Sequence, residues 1–180
     1  MKKLVLLFIF ISINSFSQSK YYTKTGVVNF EASVPSFEEV KAHNKSVTAI
    51  LNSETGEFAA LVFVKGFRFK NALMEEHFNE NYAESDTYPK ATFKGKIDGF
   101  SIDKLSSTSN FKIDGTLTFH GKSKQINNVR LDISTNEDIV SLTGAFHVSV
   151  IDFDIKIPKI VKNKVSEDVE IVFDFNLKKK

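Results

Sequence analysis

A chain of 180 residues with 24 basic and 22 acidic side chains, 42% apolar residues and no cysteine has the size and composition of one globular domain. The near balance of charge excludes a nucleic-acid footprint, and the lack of cysteine excludes disulfides, a thiol nucleophile and an acylated N-terminal cysteine. Eighteen Phe beside four Tyr and no Trp demand either a thick core or a lined cavity.

The first predicted element is an export signal over residues 1–17. Lys2 and Lys3 are a basic start, Leu4 to Ile13 is an apolar run broken by Ser12, and Ser15 and Ser17 are small residues ahead of Gln18. The run is too short for a membrane span. Cleavage after Ser17 would leave one domain, residues 18–180, in the periplasm or outside the cell. Two of the basic residues lie in the signal, so the mature domain has 22 of each sign.

Strands follow. Residues 47–51 and 58–69 flank a polar, Gly-containing stretch at 52–57, a hairpin signal. Leu61, Phe63, Phe67 and Phe69 share one parity, with Lys65 the exception. Residues 71–82 have helical spacing: Leu73, His77 and Phe78, or Met74, Phe78 and Tyr82, form a stripe, and Asn71 can cap it. Residues 36–42 suggest a second helical turn. Pro89 precedes a strand with Phe93, Gly95 and Ile97 on one side.

Alternation is clearest at Phe111, Ile113, Gly115, Leu117 and Phe119, opposed by Lys112, Asp114, Thr116, Thr118 and His120. It returns at Val129, Leu131 and Ile133, at Phe146, Val148 and Val150, and at Ile171, Phe173, Phe175 and Leu177. Turn signals stand at 120–124 and 134–138, and 158–168 reads as an exposed loop. Short strands at this spacing, each with one apolar face, predict an all-β antiparallel barrel or sandwich. Charged alternate faces argue against a lipid-facing barrel. Gly95 and Gly115 lie on the apolar parity and suggest room inside.

No catalytic constellation is apparent. His77 and Glu80 are spaced to share a metal on a helix, with Glu76 nearby, but His43, His120 and His147 stand alone on other segments. Asp152 and Asp154 read as wet-face charges. There is no Gly-x-Ser-x-Gly and no phosphate loop. No enzyme activity, metal or cofactor is expected.

Three motifs in order resemble the YceI-like family of bacterial envelope proteins. They are Met74-x-x-His77-Phe78, Tyr88-Pro89 leading to Phe93, and Gly115-x-Leu117-Thr118-x-x-Gly121, within a match from Tyr22 to Leu177. The resemblance implies a lipocalin-like antiparallel β-barrel of about eight strands with one or two short helices. It also implies an elongated pocket for a long-chain isoprenoid or other lipid-like amphiphile. Phe63, Phe67, Phe69, Phe93, Phe111, Ile113, Leu117, Phe119, Phe173 and Phe175 would line that pocket. Leu73, Met74, Phe78 and Tyr82 would close one end, with His77 or Tyr82 meeting a polar head. Many members carry Arg-Asp-x-His-Leu near the helix. Here residues 72–78 read ALMEEHF, so the head-group contact is not carried over. Barrels of this kind expose ends that can pair, which leaves a homodimer open. A packed barrel serving as an interaction or structural module is the second reading, and a metal-dependent enzyme centred on His77 the third.

Overall fold

A period-two pattern with one wet face must bury its apolar side against other strands, and here the sheet does so by closing on itself. The computed structural model describes residues 20–106 and 110–180; the expected signal at 1–17 lies outside them. The strands are β1 (Lys20–Ser33), β2 (Lys41–Asn52), β3 (Glu57–Phe63), β4 (Arg68–Phe69), β5 (Lys90–Ile97), β6 (Asn110–Phe119), β7 (Lys122–Asn136), β8 (Ile139–Ser149) and β9 (Val165–Lys179). Their order is β1-β9-β8-β7-β6-β5-β3-β2, every pairing is antiparallel, and β2 pairs back onto β1. The result is a closed eight-stranded barrel. The two-residue β4 hangs on β2, with Phe69 opposite Ala42.

Burial follows the alternation. Val47, Ala49 and Leu51 of β2, Val129, Leu131 and Ile133 of β7, and Phe173, Phe175 and Leu177 of β9 are all buried. Val172, Asp174 and Asn176 face out. β6 and β7 are joined through His120 and Gly121, both at positive φ, as a two-residue hairpin turn requires. Among the described residues no helix is long and apolar enough to cross a membrane.

The helix α1 (Ala72–His77) continues as one wide π turn over Phe78–Tyr82. Asn71 caps it, its side-chain oxygen accepting from the Leu73 amide at 2.9 Å. Glu75 ties it to β4 by accepting from Arg68 at 3.0 Å and from the Phe69 amide at 3.1 Å.

Four expectations change. Residues 36–42 form no helix: the chain turns at Ser36, at positive φ, and the Ala32 amide already bonds the Val40 carbonyl across the β1–β2 hairpin. The 158–168 loop ends early, because β9 begins at Val165, where it pairs with Ser33 of β1. Phe63 points outward and is 53% exposed. The inward parity of β3 belongs to Phe58, Ala60 and Val62, and a 3-10 turn at Val64–Gly66 resets the sides before Phe67 turns in. Finally, Gly95 and Gly115 do not mark a void. A Cβ on Gly115 would collide with the Phe93 ring, and one on Gly95 with the Asp114 carbonyl, with the same ring in tight contact.

Candidate functional site

The barrel interior has three tiers. At one end Leu51, Ile97, Ile133, Val140 and Leu177 are packed solid. Phe111 belongs to this tier, packed at a tilt against Phe100 with ring centroids 5.8 Å apart rather than lining a cavity. Next comes a small apolar chamber of about 70 Å³, walled by Phe58, Phe93, Ile113, Phe173 and Phe175 among others. Above it, toward α1, lies an open chamber of about 520 Å³.

The walls of the large chamber come from almost every element. β1 supplies Val28, Phe30 and Ala32; β6 supplies Leu117 and Phe119; β8 supplies Phe146 and Val148; β9 supplies Val165, Val169 and Ile171. Phe67 and Phe69 face in from the segment around β4, and Met74, His77, Phe78 and Tyr82 from the helix and its π turn. Four rings fasten the helix to the barrel: Phe30 lies 5.1, 5.6 and 5.2 Å from Phe67, Phe69 and Phe78, and Phe78 lies 5.2 Å from Phe69. The π turn shifts the stripe, so Met74, Phe78 and Tyr82 face the chamber. Leu73 is 56% exposed and lines nothing.

The opposite wall is the irregular segment between β8 and β9. A 3-10 turn over Val150–Phe153 buries Phe153 beside Phe119, with ring centroids 5.8 Å apart, and Ile155, Ile157 and Val161 complete the wall. Polar groups fasten this segment from outside. His120 Nδ1 donates to the Phe153 carbonyl at 2.8 Å, and its Nε2 lies 2.7 Å from Glu84. Lys124 pairs with Asp152 and Lys122 with Asp154, each at 2.7 Å. The hydrogen bond from Lys122, then its charge, holds the Asp154 carboxyl below the usual carboxylate range, and the same bond raises Lys122.

The polar side chains among the chamber's walls are Glu38, His77, Tyr82, Lys164 and Ser166, all exposed or half-buried and so within reach of water. Among the described residues no three His, Asp or Glu gather as metal ligands. Sequence reasoning therefore placed Phe67, Phe69, Met74, His77, Phe78, Tyr82, Leu117 and Phe119 around one space. Phe93, Ile113, Phe173 and Phe175 fall around the smaller one. It missed Val28 and Phe30, although residues 28, 30 and 32 alternate correctly. It also missed Phe153, Ile155 and Val161, which no periodicity marks.

Three comparisons bear on this geometry. The family model for the YceI-like domain matches residues 18–177. No curated protein sequence matches. Among solved structures, a polyisoprenoid binding domain from Saccharophagus degradans superposes with a TM-score of 0.75 at 13% identity, covering 89% of this chain and 98% of that one. BcnA of Burkholderia cenocepacia gives 0.70 at 17% identity, over 84% and 95%. The Campylobacter jejuni YCEI protein gives 0.65 at 17%, over 82% and 89%. At identities this low the superpositions show a shared fold alone.

Proposed function

The chain belongs to the YceI-like domain family, and from that premise we propose that it binds one long-chain isoprenoid or similar amphiphile, tail inside the large chamber and polar head at the mouth. The chamber carries the reading. Its volume of about 520 Å³ falls in the roughly 300–1,000 Å³ range of ligand sites. Its walls are aliphatic and aromatic, and its few polar groups gather where a head group would meet water. Each CH₂ moved from water into such a space contributes about 0.8 kcal/mol, so a long tail needs few polar contacts. A structural neighbour described as a polyisoprenoid binding domain supports the same ligand class.

In this reading the protein is a non-catalytic carrier or scavenger in the cell envelope or outside the cell. Its barrel keeps an insoluble chain out of water. Native mass spectrometry of the protein purified gently from its own cells, followed by lipid extraction, tests it. A stoichiometric adduct of isoprenoid or other long-chain mass is the expected result. A clean apo mass that stays clean after incubation with such lipids would leave the rings as packing and turn the protein into an interaction module.

A further inference from the structure

The two chambers share six wall residues: Val28, Val62, Ala91, Leu117, Phe146 and Ile171. They come one each from β1, β3, β5, β6, β8 and β9. The strand register sets Val62 opposite Ala91 and Phe146 opposite Ile171. Together they form a collar across the barrel between the open space and the inner one. Five of the six are aliphatic. The sixth is a phenyl ring.

That ring differs from its aromatic neighbours. Its centroid is 6.3 Å from Phe93 and 6.2 Å from Phe173. Those two rings lie on bare backbone: a Cβ on Gly115 would come within 2.8 Å of Phe93 Cε1, and a Cβ on Gly144 within 2.5 Å of Phe173 Cζ. Neither can move without losing a close fit. Phe146 is half-buried and borders empty volume on both sides, so it has somewhere to turn. The space behind it is lined almost entirely by apolar side chains, and such cavities stay dry. A chain end entering it displaces no bound water and gains wall contacts.

We infer that Phe146 sets how far an apolar chain runs into the barrel, and that the inner chamber is a subsite for the chain's end, reached when the ring turns aside. The inference rests on the proposed function. It adds a length selectivity fixed by one side chain. A chain that ends in the open chamber leaves the ring in place, and one that runs past the collar must first turn it aside.

The test is a binding series with straight-chain fatty alcohols rising two carbons at a time, run by calorimetry on the wild type, Phe146→Leu and Phe146→Trp. For the wild type, affinity rises with length and then breaks. In Phe146→Leu the break moves to longer chains, and the first alcohol beyond the wild-type break gains about tenfold or more, the scale of methylene discrimination in apolar pockets. In Phe146→Trp the break moves to shorter chains. Because Phe146 itself borders the open chamber, folding of the variants is read separately, from far-ultraviolet circular dichroism and cooperative urea unfolding, and the position of the break rather than the absolute affinity is compared. A break at the same length in all three overturns the inference while leaving the chamber's function standing. Failure of the wild type to bind any member overturns both.

Discussion

The two ends of this barrel are built from the same strands, yet one is solid and the other hollow. β6 passes through both. Phe111 sits in the packed tier, Ile113 beside the small chamber, Leu117 in the collar and Phe119 in the open chamber. β9 does the same from Leu177 through Phe173 to Val169. The difference lies in what faces the rings. Below the collar, around the small chamber, glycines on neighbouring strands leave hollows, and Phe93 and Phe173 fill them, so that little space remains there. At the hollow end the rings meet each other, a helix and an irregular segment, which hold the rim without filling the middle. A Phe-rich sequence thus builds a core or a pocket according to where its glycines fall.

The largest test of that contrast removes a ring from each end. Phe175→Ala, at a ring 2% exposed with Phe58 at 5.5 Å and Phe173 at 5.6 Å, widens the small inner chamber by a whole buried ring and costs about 3–5 kcal/mol. Phe69→Ala removes a half-buried ring already bordering empty space and costs roughly 1–2 kcal/mol. Urea unfolding of both variants decides it, and equal losses would mean that the upper rings are as tightly packed as the lower.

Adding volume should sort the two ends in the same order with smaller numbers. Gly115→Val meets the Phe93 ring and the Lys94 carbonyl at once, an overpacking cost of roughly 3 kcal/mol. Val148→Phe adds its bulk to the open chamber and changes stability by less than about 1 kcal/mol, while lowering lipid uptake. If Val148→Phe destabilised as much as Gly115→Val, the upper space would not be free.

The same contrast explains what the sequence reveals. β6 and β9 are legible because their alternation is unbroken and one face is wet, and β7 is legible over residues 129–133, beyond the bulge where its register with β6 shifts. β1 is harder, since irregular pairing at Thr23, Gly26 and Val28 interrupts its period, and the inward Val28 and Phe30 go unnoticed. Phe63 is misplaced because parity cannot be carried across a 3-10 turn. Gly95 and Gly115 signal a hollow correctly, but only the fold shows that a neighbouring ring fills it. Phe153, Ile155 and Val161 lie on a segment with no period at all, and tertiary contacts alone bring them to the chamber.

Two smaller effects concern the open end only. Asn71→Ala removes the cap of α1, worth about 1 kcal/mol. Hydrogen exchange should rise over residues 72–82 and stay unchanged in β7 and the packed tier. A uniform rise would mean that the helix is part of the global folding unit rather than a local cover.

The smallest effect is electrostatic. The Lys122–Asp154 pair joins the start of β7 to the segment that walls the chamber, and it lies in water. Asp154 has its carboxyl lowered by that lysine. The pair's contribution is therefore complete above the usual carboxylate range and is lost as pH falls through the lowered value in the folded protein. Lys122 is raised, so at the alkaline side the contribution persists past the ordinary lysine range before it fades. Asp154 sits at positive φ, a conformation Asn also tolerates, so Asp154→Asn removes the charge while keeping the backbone. The variant should melt slightly below the wild type at neutral pH, with the gap closing in acid. Salt should narrow it too, because an exposed pair is screened. A gap that stayed constant down to strong acid would show that the substitution acts through the turn and not through the charge.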